Sequence, residues 1–227
     1  MCYGYKKMNT KHITTEEKFY ICDGCKVYFS IEEEDDGSIW LIGTRESVSN
    51  IRNFYIPNTI NGAPVVYIEG DIFDYNNALE HFIVEDDNEY FRMYEGGLYS
   101  KDMKKFYFMP PKFDGKVFFV PEGVEWIGDT ALNAKSLETI VIPEGCQRMI
   151  EYSCAGMRSL KRIYIPKSME FIGFKAFNFT APEEVFYEGS EEDRTKIDFC
   201  DEGFNAGLLN AKWHYDCTIP KSSDEIK

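Results

Sequence analysis

Apolar and polar positions alternate in a fixed order through the middle of the chain, and the order starts again every coil. Leu137, Ile140 and Ile142 follow an apolar-x-x-apolar-x-apolar pattern. The last two alternate with a residue between them, so both face one side of a short strand. Pro143 then ends the strand, because it has no N–H to offer a ladder. A polar turn, Glu144-Gly145, and a second short apolar stretch follow. A segment of small residues, such as the one carrying Ala176 and Phe177, returns the chain. Leu160, Ile163, Ile165 and Pro166 begin the order again.

The period is regular. Residues 117–138 read VFFVPEGVEWIGDTALNAKSLE, residues 139–161 read TIVIPEGCQRMIEYSCAGMRSLK, and RIYIPKSMEFIGFKAFNFT follows from Arg162. Pro121, Pro143 and Pro166 stand 22 and 23 residues apart. Ile127-Gly128 and Ile172-Gly173 share one phase, with Met149-Ile150 between them. A looser copy starts at Phe54, with Gly70 displaced by one inserted residue. One such unit cannot bury its apolar face alone, whereas stacked units can, at a rise of ~4.8 Å per coil. The pattern therefore predicts a β-rich solenoid. Strands at 139–142 and 162–165 should be neighbours and parallel. Leu137, Ile140, Ile142, Leu160, Ile163, Ile165 and Ile172 should be buried.

These motifs resemble the BspA-type leucine-rich repeat family, in which a strand ending in Ile-Pro is followed by Val-x-x-Ile-Gly-x-x-Ala-Phe and then a leucine. Ile140-Val141-Ile142-Pro143 and Ile163-Tyr164-Ile165-Pro166 match the first element, and residues 171–177 (FIGFKAF) match the second. Residues 97–102 (GLYSKD), with Phe106 and Pro110-Pro111, resemble the family's interrupting half-repeat. Residues 187–193 (YEGSEED) and 210–215 (NAKWHY) resemble its closing unit. The resemblance covers roughly residues 18–215. Two coils depart from Ala-Phe, carrying Ala131-Leu132 and Cys154-Ala155 at that place. The likeness implies a right-handed coil with short strands on a concave sheet and short second strands and helical turns on the convex side. It also implies a non-catalytic role in protein–protein or host-surface interaction, often at the cell exterior.

A solenoid exposes two sheet edges that caps must cover. From Phe19 to Ile42 the chain reads as antiparallel strands, with turn signals at Asp23-Gly24 and at Asp35-Asp36-Gly37. Ser190 before Glu191, Glu192 and Asp193 predicts a short cap helix over roughly 191–198. Ala211 to Tyr215 reads as a last strand. The expected organisation is an N-terminal segment 1–17, a β cap 18–50, the solenoid 51–190, a C-terminal cap 191–216 and a polar, mobile tail 217–227.

Charge removes whole classes of partner. With 25 Lys and Arg against 39 Asp and Glu, the net charge is −14. That sign repels phosphate backbones and anionic membrane surfaces, so nucleic acid is not an expected ligand. No apolar run approaches the ~20 residues of a membrane-spanning helix. The first residues contain no apolar signal core, and the seven cysteines are odd in number and irregularly spaced. Both features lead to the expectation of a reduced cytoplasmic compartment. A chain that had lost a leader would instead belong to the cell surface or the exterior.

Candidate chemistry is sparse. Cys22-Asp23-Gly24-Cys25 is a C-x-x-C, but zinc needs a second ligand pair and thioredoxin-like motifs open a helix. A hairpin turn flanked by two thiols is the expectation. The run Glu32 to Asp36 lacks the alternating ligands of a calcium loop and reads as a solvated turn. His12, His81 and His214 share no short motif. Gly128 to Ser136 lacks the second glycine of a phosphate loop. The sequon at Asn178 has meaning only in a secreted chain. No nucleophile–base or metal constellation is present, so neither an enzyme nor a cofactor is expected.

The residues singled out are those between the two inward positions of each strand: Tyr55, Ile83, Phe119, Val141, Tyr164 and Phe186. They point outward, where polar residues would be usual, and all six are apolar or aromatic. The residues two positions earlier are mixed: Asn53, His81, Val117, Thr139, Arg162 and Glu184. Aligned by stacking, the six predict an exposed apolar column of several hundred Å², large for a monomer. The expected partner is a protein or a second copy of the chain. A carbohydrate, stacked on the aromatic faces, is the alternative. A cover supplied by the chain itself, for instance by its N-terminal segment, is the competing structural explanation.

Overall fold

The structure, a computed structural model, describes residues 11–14, 20–44, 48–73 and 76–226. Phe19 and most of the segment 1–17 lie outside these. Two ladders of short parallel strands run through the repeats. The face ladder stacks Val117–Phe119, Thr139–Val141, Arg162–Ile165, Glu184–Tyr187 and Lys212–His214 in that order. The side ladder continues from Lys105–Phe108 through Trp126–Ile127, Arg148–Met149 and Phe171–Ile172 to Asp198–Phe199. The strands at 139–141 and 162–165 pair in parallel, with Ile140 opposite Ile163. The chain is thus the solenoid that the repeat predicts.

Register follows from the period. Phe118, Ile140, Ile163 and Val185 stand opposite one another and enter the core. Leu137, Ile142, Leu160, Ile165 and Ile172 join them, all buried. Each such aliphatic contributes about 1.5–3 kcal/mol of burial. The Ile-Gly motif has its own cause: a Cβ on Gly173 would lie 2.8 Å from the backbone of Ile150 and Glu151. Coils approach too closely there for any side chain. In the small-residue segment, Leu132 N donates to Ser153 O and Cys154 N donates to Ala176 O. The residues in register with Ala131-Leu132 and Ala176-Phe177 are therefore Ser153-Cys154, not Cys154-Ala155. Spacing explains the correction, since 22 residues from Ala131 is Ser153, and both Ser153 and Cys154 are buried.

An antiparallel hairpin, Phe91–Tyr94 with Gly97–Ser100, interrupts the repeats and pairs with Lys105–Phe108. It divides the interior in two. Tyr99 and Phe106 belong to the core of the later coils, Leu98 and Phe108 to that of the earlier ones. The face ladder is broken at the same place: Asn53–Tyr55 pairs with His81–Ile83 as a separate two-stranded sheet.

The N-terminal cap is antiparallel, as its turn signals predict. Tyr20–Cys22 pairs with Cys25–Val27, and Phe29–Glu33 with Ile39–Thr44. Lys11–Thr14 adds to the edge of Phe29–Glu33. The acidic run forms the connecting turn, where Asp36 accepts a hydrogen bond from Ser38 N at 2.9 Å. At the other end Ser190 caps a helix through a capping box with Asp193, but the helix is a single turn, Glu191–Arg194. It is shorter than 191–198 because Asp198–Phe199 is drawn into the side ladder. The last strand is Lys212–His214. No helix among the described residues is long and apolar enough to cross a membrane.

Candidate functional site

The outward column exists, but it is neither continuous nor open along its length. Phe119, Val141, Tyr164 and Phe186 stand opposite one another along the face ladder. Tyr55 and Ile83 stand opposite each other on the separate two-stranded sheet. The expected six-rung column is therefore two stretches, divided where the inserted hairpin and Pro110-Pro111 break the period. Ile83 is 48% exposed, and Tyr55 and Phe119 are half-buried. Tyr55 donates its phenol hydrogen to Glu85 at 2.8 Å.

Val141, Tyr164 and Phe186 are buried, at 2%, 2% and 6% exposure. The expectation that they are exposed is corrected. They form a small apolar cluster of their own outside the main core, packed against Phe119, Cys217, Ile219 and Ile226. The cover is the C-terminal segment, so the expected mobile tail over 217–227 is corrected for the residues described up to 226. After His214 the chain turns at Asp216, whose φ is 53°, and runs back over the face ladder. Asp216 N donates to Gly189 O and Cys217 N to Tyr187 O, both at 3.0 Å. Pro220 is buried and Lys221 approaches Glu122 at 4.0 Å. The physical reason is visible in the letters. Cys217, Ile219 and Ile226 are apolar enough to leave water once an apolar strip offers a seat.

The rings along this strip stack on each other. Tyr164 and Phe186 are 4.7 Å apart and 13° from parallel; Phe186 and His214 are 4.7 Å apart and 6° from parallel. His214 extends the column by one rung and turns its Nε2 to Glu184 Oε1 at 3.1 Å. It was legible as the residue between the inward positions of the last strand. The mixed column beside it carries charge: Glu184 takes Arg162 at 3.5 Å as well as His214. The His214 hydrogen bond is the main cause holding the Glu184 carboxyl below its ordinary range.

Beside the seated tail a groove of about 930 Å³ remains open. Tyr94, Phe119 and Val141 give it an apolar floor, and Glu95, Glu122 and Glu144 lie around it. Glu188 reaches it too, its carboxyl raised above the ordinary range chiefly by burial and further by Glu144.

The C-x-x-C has a structural use that lies between its cysteines. Asp23 accepts hydrogen bonds from Arg52 N, from Asn53 N at 2.7 Å and from Asn53 Nδ2 at 2.7 Å. Cys22 Sγ accepts from Tyr55 N at 3.3 Å. The hairpin thus satisfies the edge of the first coil, as a further strand would. Cys22 and Cys25 stand opposite each other as free thiols, and burial raises the Cys22 thiol above its ordinary range. Reactive dithiols need the opposite shift. Among the described residues no group of three His, Cys, Asp or Glu side chains is placed to hold a metal.

Comparison with known proteins places these repeats. Residues 115–193 match the family model described as the BspA type leucine-rich repeat region, in six copies. No curated protein matches the chain. A leucine-rich repeat protein from Eubacterium ventriosum ATCC 27560 superposes with a TM-score of 0.55 at 22% identity, over 63% of this chain and 37% of that one. The pneumococcal vaccine antigen PcpA aligns with a TM-score of 0.48 at 14% identity, over 76% of this chain and 57% of its own. The chain thus spans well under two thirds of the length of either. Residues 115–193 are thus similar to the repeats of the BspA-type leucine-rich repeat family.

Proposed function

We propose that the chain is a non-catalytic protein-interaction module that binds its partner through the concave sheet face. The observation that carries this reading is the apolar outward column, with Ile83 nearly half exposed and Phe119 at the lip of the open groove. A sugar would need free aromatic faces, and the faces of Tyr164, Phe186 and His214 lie against one another. A protein surface is therefore the better match than a carbohydrate.

Site-specific photo-crosslinking in source-cell lysate tests the reading. A benzophenone side chain is placed at Ile83, at Phe119 and, as a control on the side ladder, at Phe171. A protein adduct from the first two positions and none from the third is expected. Adducts of equal yield from Phe171, or none from Ile83 and Phe119, would remove the concave face as the site. An adduct with the chain itself would make the partner a second copy.

A further inference from the structure

The covered half of the column is a strip seated by a segment of the same chain. The tail runs across the strands and makes two backbone hydrogen bonds to the solenoid, at Asp216 and Cys217. Beyond Cys217, the hydrogen bonds it makes among the described residues stay within the tail: Lys221 N to Glu225 Oε2, Ser222 Oγ to Glu225 Oε1, Glu225 N to Ser222 O and Ile226 N to Ser223 O. Among the described residues its seat includes the apolar contact of Cys217, Ile219 and Ile226 with Val141, Tyr164 and Phe186, and one exposed ion pair. Exposed pairs of that kind add little. The occupant is held by anchors that another segment could supply equally well.

We propose that this strip binds an extended segment of another protein, of the pattern apolar-x-apolar-Pro-basic, and that residues 216–226 occupy the site in cis until such a segment displaces them. The proposal rests on the reading of the concave face as the interaction face and names what it takes there. The pattern is that of Cys217, Ile219, Pro220 and Lys221. Two features favour a foreign segment over the tail. The tail leaves the groove of about 930 Å³ beside it unfilled, with Thr218 at its wall, so a larger side chain at that position gains contact the tail lacks. The groove's lining carries four carboxylates, Glu95, Glu122, Glu144 and Glu188, against Arg92 and the tail's Lys221, so a more basic segment would answer more of them.

Competition in cis sets the arithmetic. A tethered segment is presented at roughly millimolar effective concentration. A ligand in trans sees its affinity reduced by the fraction of chains whose site is open. The test uses the 227-residue chain and its variant Ile219→Asp with Ile226→Asp, whose tail has lost both isoleucine anchors. The probe is a fluorescent peptide reproducing residues 215–226, with alanine in place of Cys217, titrated by anisotropy. The variant should bind it at least about ten-fold more tightly than the wild-type chain. A probe carrying Ile219→Asp should lose about ten-fold on the variant. Equal binding to both chains, or no binding to a variant that melts as a folded protein, overturns the proposal. So does a variant that no longer folds, because the tail would then be a structural cap. A wild-type dimer that the variant cannot form would overturn the foreign partner in favour of tails exchanged between two copies. Crosslinks at Ile83 without peptide binding would remove this site and leave the interaction module standing.

Discussion

The ring of Tyr164 lies on the ring of Phe186, 4.7 Å away and 13° from parallel, because the two residues share one rung position on neighbouring strands. They are 22 residues apart, one turn of the repeat. The period that builds the core inside the sheet thus also builds a stack outside it, and the tail closes over that stack.

Tyr164→Ala is expected to remove a stacking partner and part of the tail's seat together. Stability should fall by about 1–3 kcal/mol, read from denaturant melts. Cys217, half-buried against the strip, should be alkylated faster, read residue by residue by mass spectrometry. Unchanged alkylation of Cys217 would mean that the strip does not hold the tail.

Ile163→Ala deletes an aliphatic side chain with no exposed surface in the middle of the main core. The expected cost is ~2–5 kcal/mol. A cost under ~1 kcal/mol in urea melts would place the inward face wrongly.

Gly173→Ala should be destabilising although it adds only a methyl group. The new Cβ would lie 2.8 Å from the Ile150 and Glu151 backbone, and neither coil can withdraw without breaking its ladder. Overpacking of this kind costs about 1–3 kcal/mol. A thermal melt identical to wild type would show that the coils have slack at that point.

Glu138 joins three coils, taking Lys161 at 2.6 Å and Lys116 at 3.0 Å. Hydrogen bonds from Lys161 and then Lys116 lower its pKa from an ordinary 4.5 to about 2. A depressed carboxylate contributes its stability above the unfolded value and loses it as pH falls through the folded value. The difference in Tm between wild type and Glu138→Gln should therefore be full at neutral pH and shrink between 4.5 and about 2. Added salt should narrow it as well, since the group is exposed. A difference that stays constant from pH 7 to 2 would exclude the Glu138 ion pairs as its source.

The fold was legible because each coil writes its own instructions. Ile140 and Ile163 carry the strand, Pro143 and Pro166 end it, and Gly173 permits the next coil's approach. The outward column was legible in composition but not in exposure. Whether Tyr164 meets water depends on a segment more than fifty residues later, and no local pattern at Tyr164 reports that. The signal lay in the tail, where Ile219 and Ile226 stand among polar residues, a spacing too sparse for strand or helix periodicity. Asp23 was hidden for a different reason. Its partners, Arg52 and Asn53, lie in the first coil, and a cap-to-coil contact has no repeat to betray it.

The tail's path also works as a gauge of length. From Cys217, bonded to the rung of Tyr187, to Lys221, beside Glu122 near the rung of Phe119, the chain takes four residue steps past three rung spacings. Four extended residues reach about 14 Å, and three strand spacings of ~4.8 Å come to about the same. The stretch from Cys217 to Lys221 thus matches the height of three coils. A duplicated coil between Pro121 and Pro166 would stop it one rung short, and a deleted coil would leave it slack. The number of coils and the length of the C-terminal segment are thereby tied, so that neither can drift in evolution without a matching change in the other.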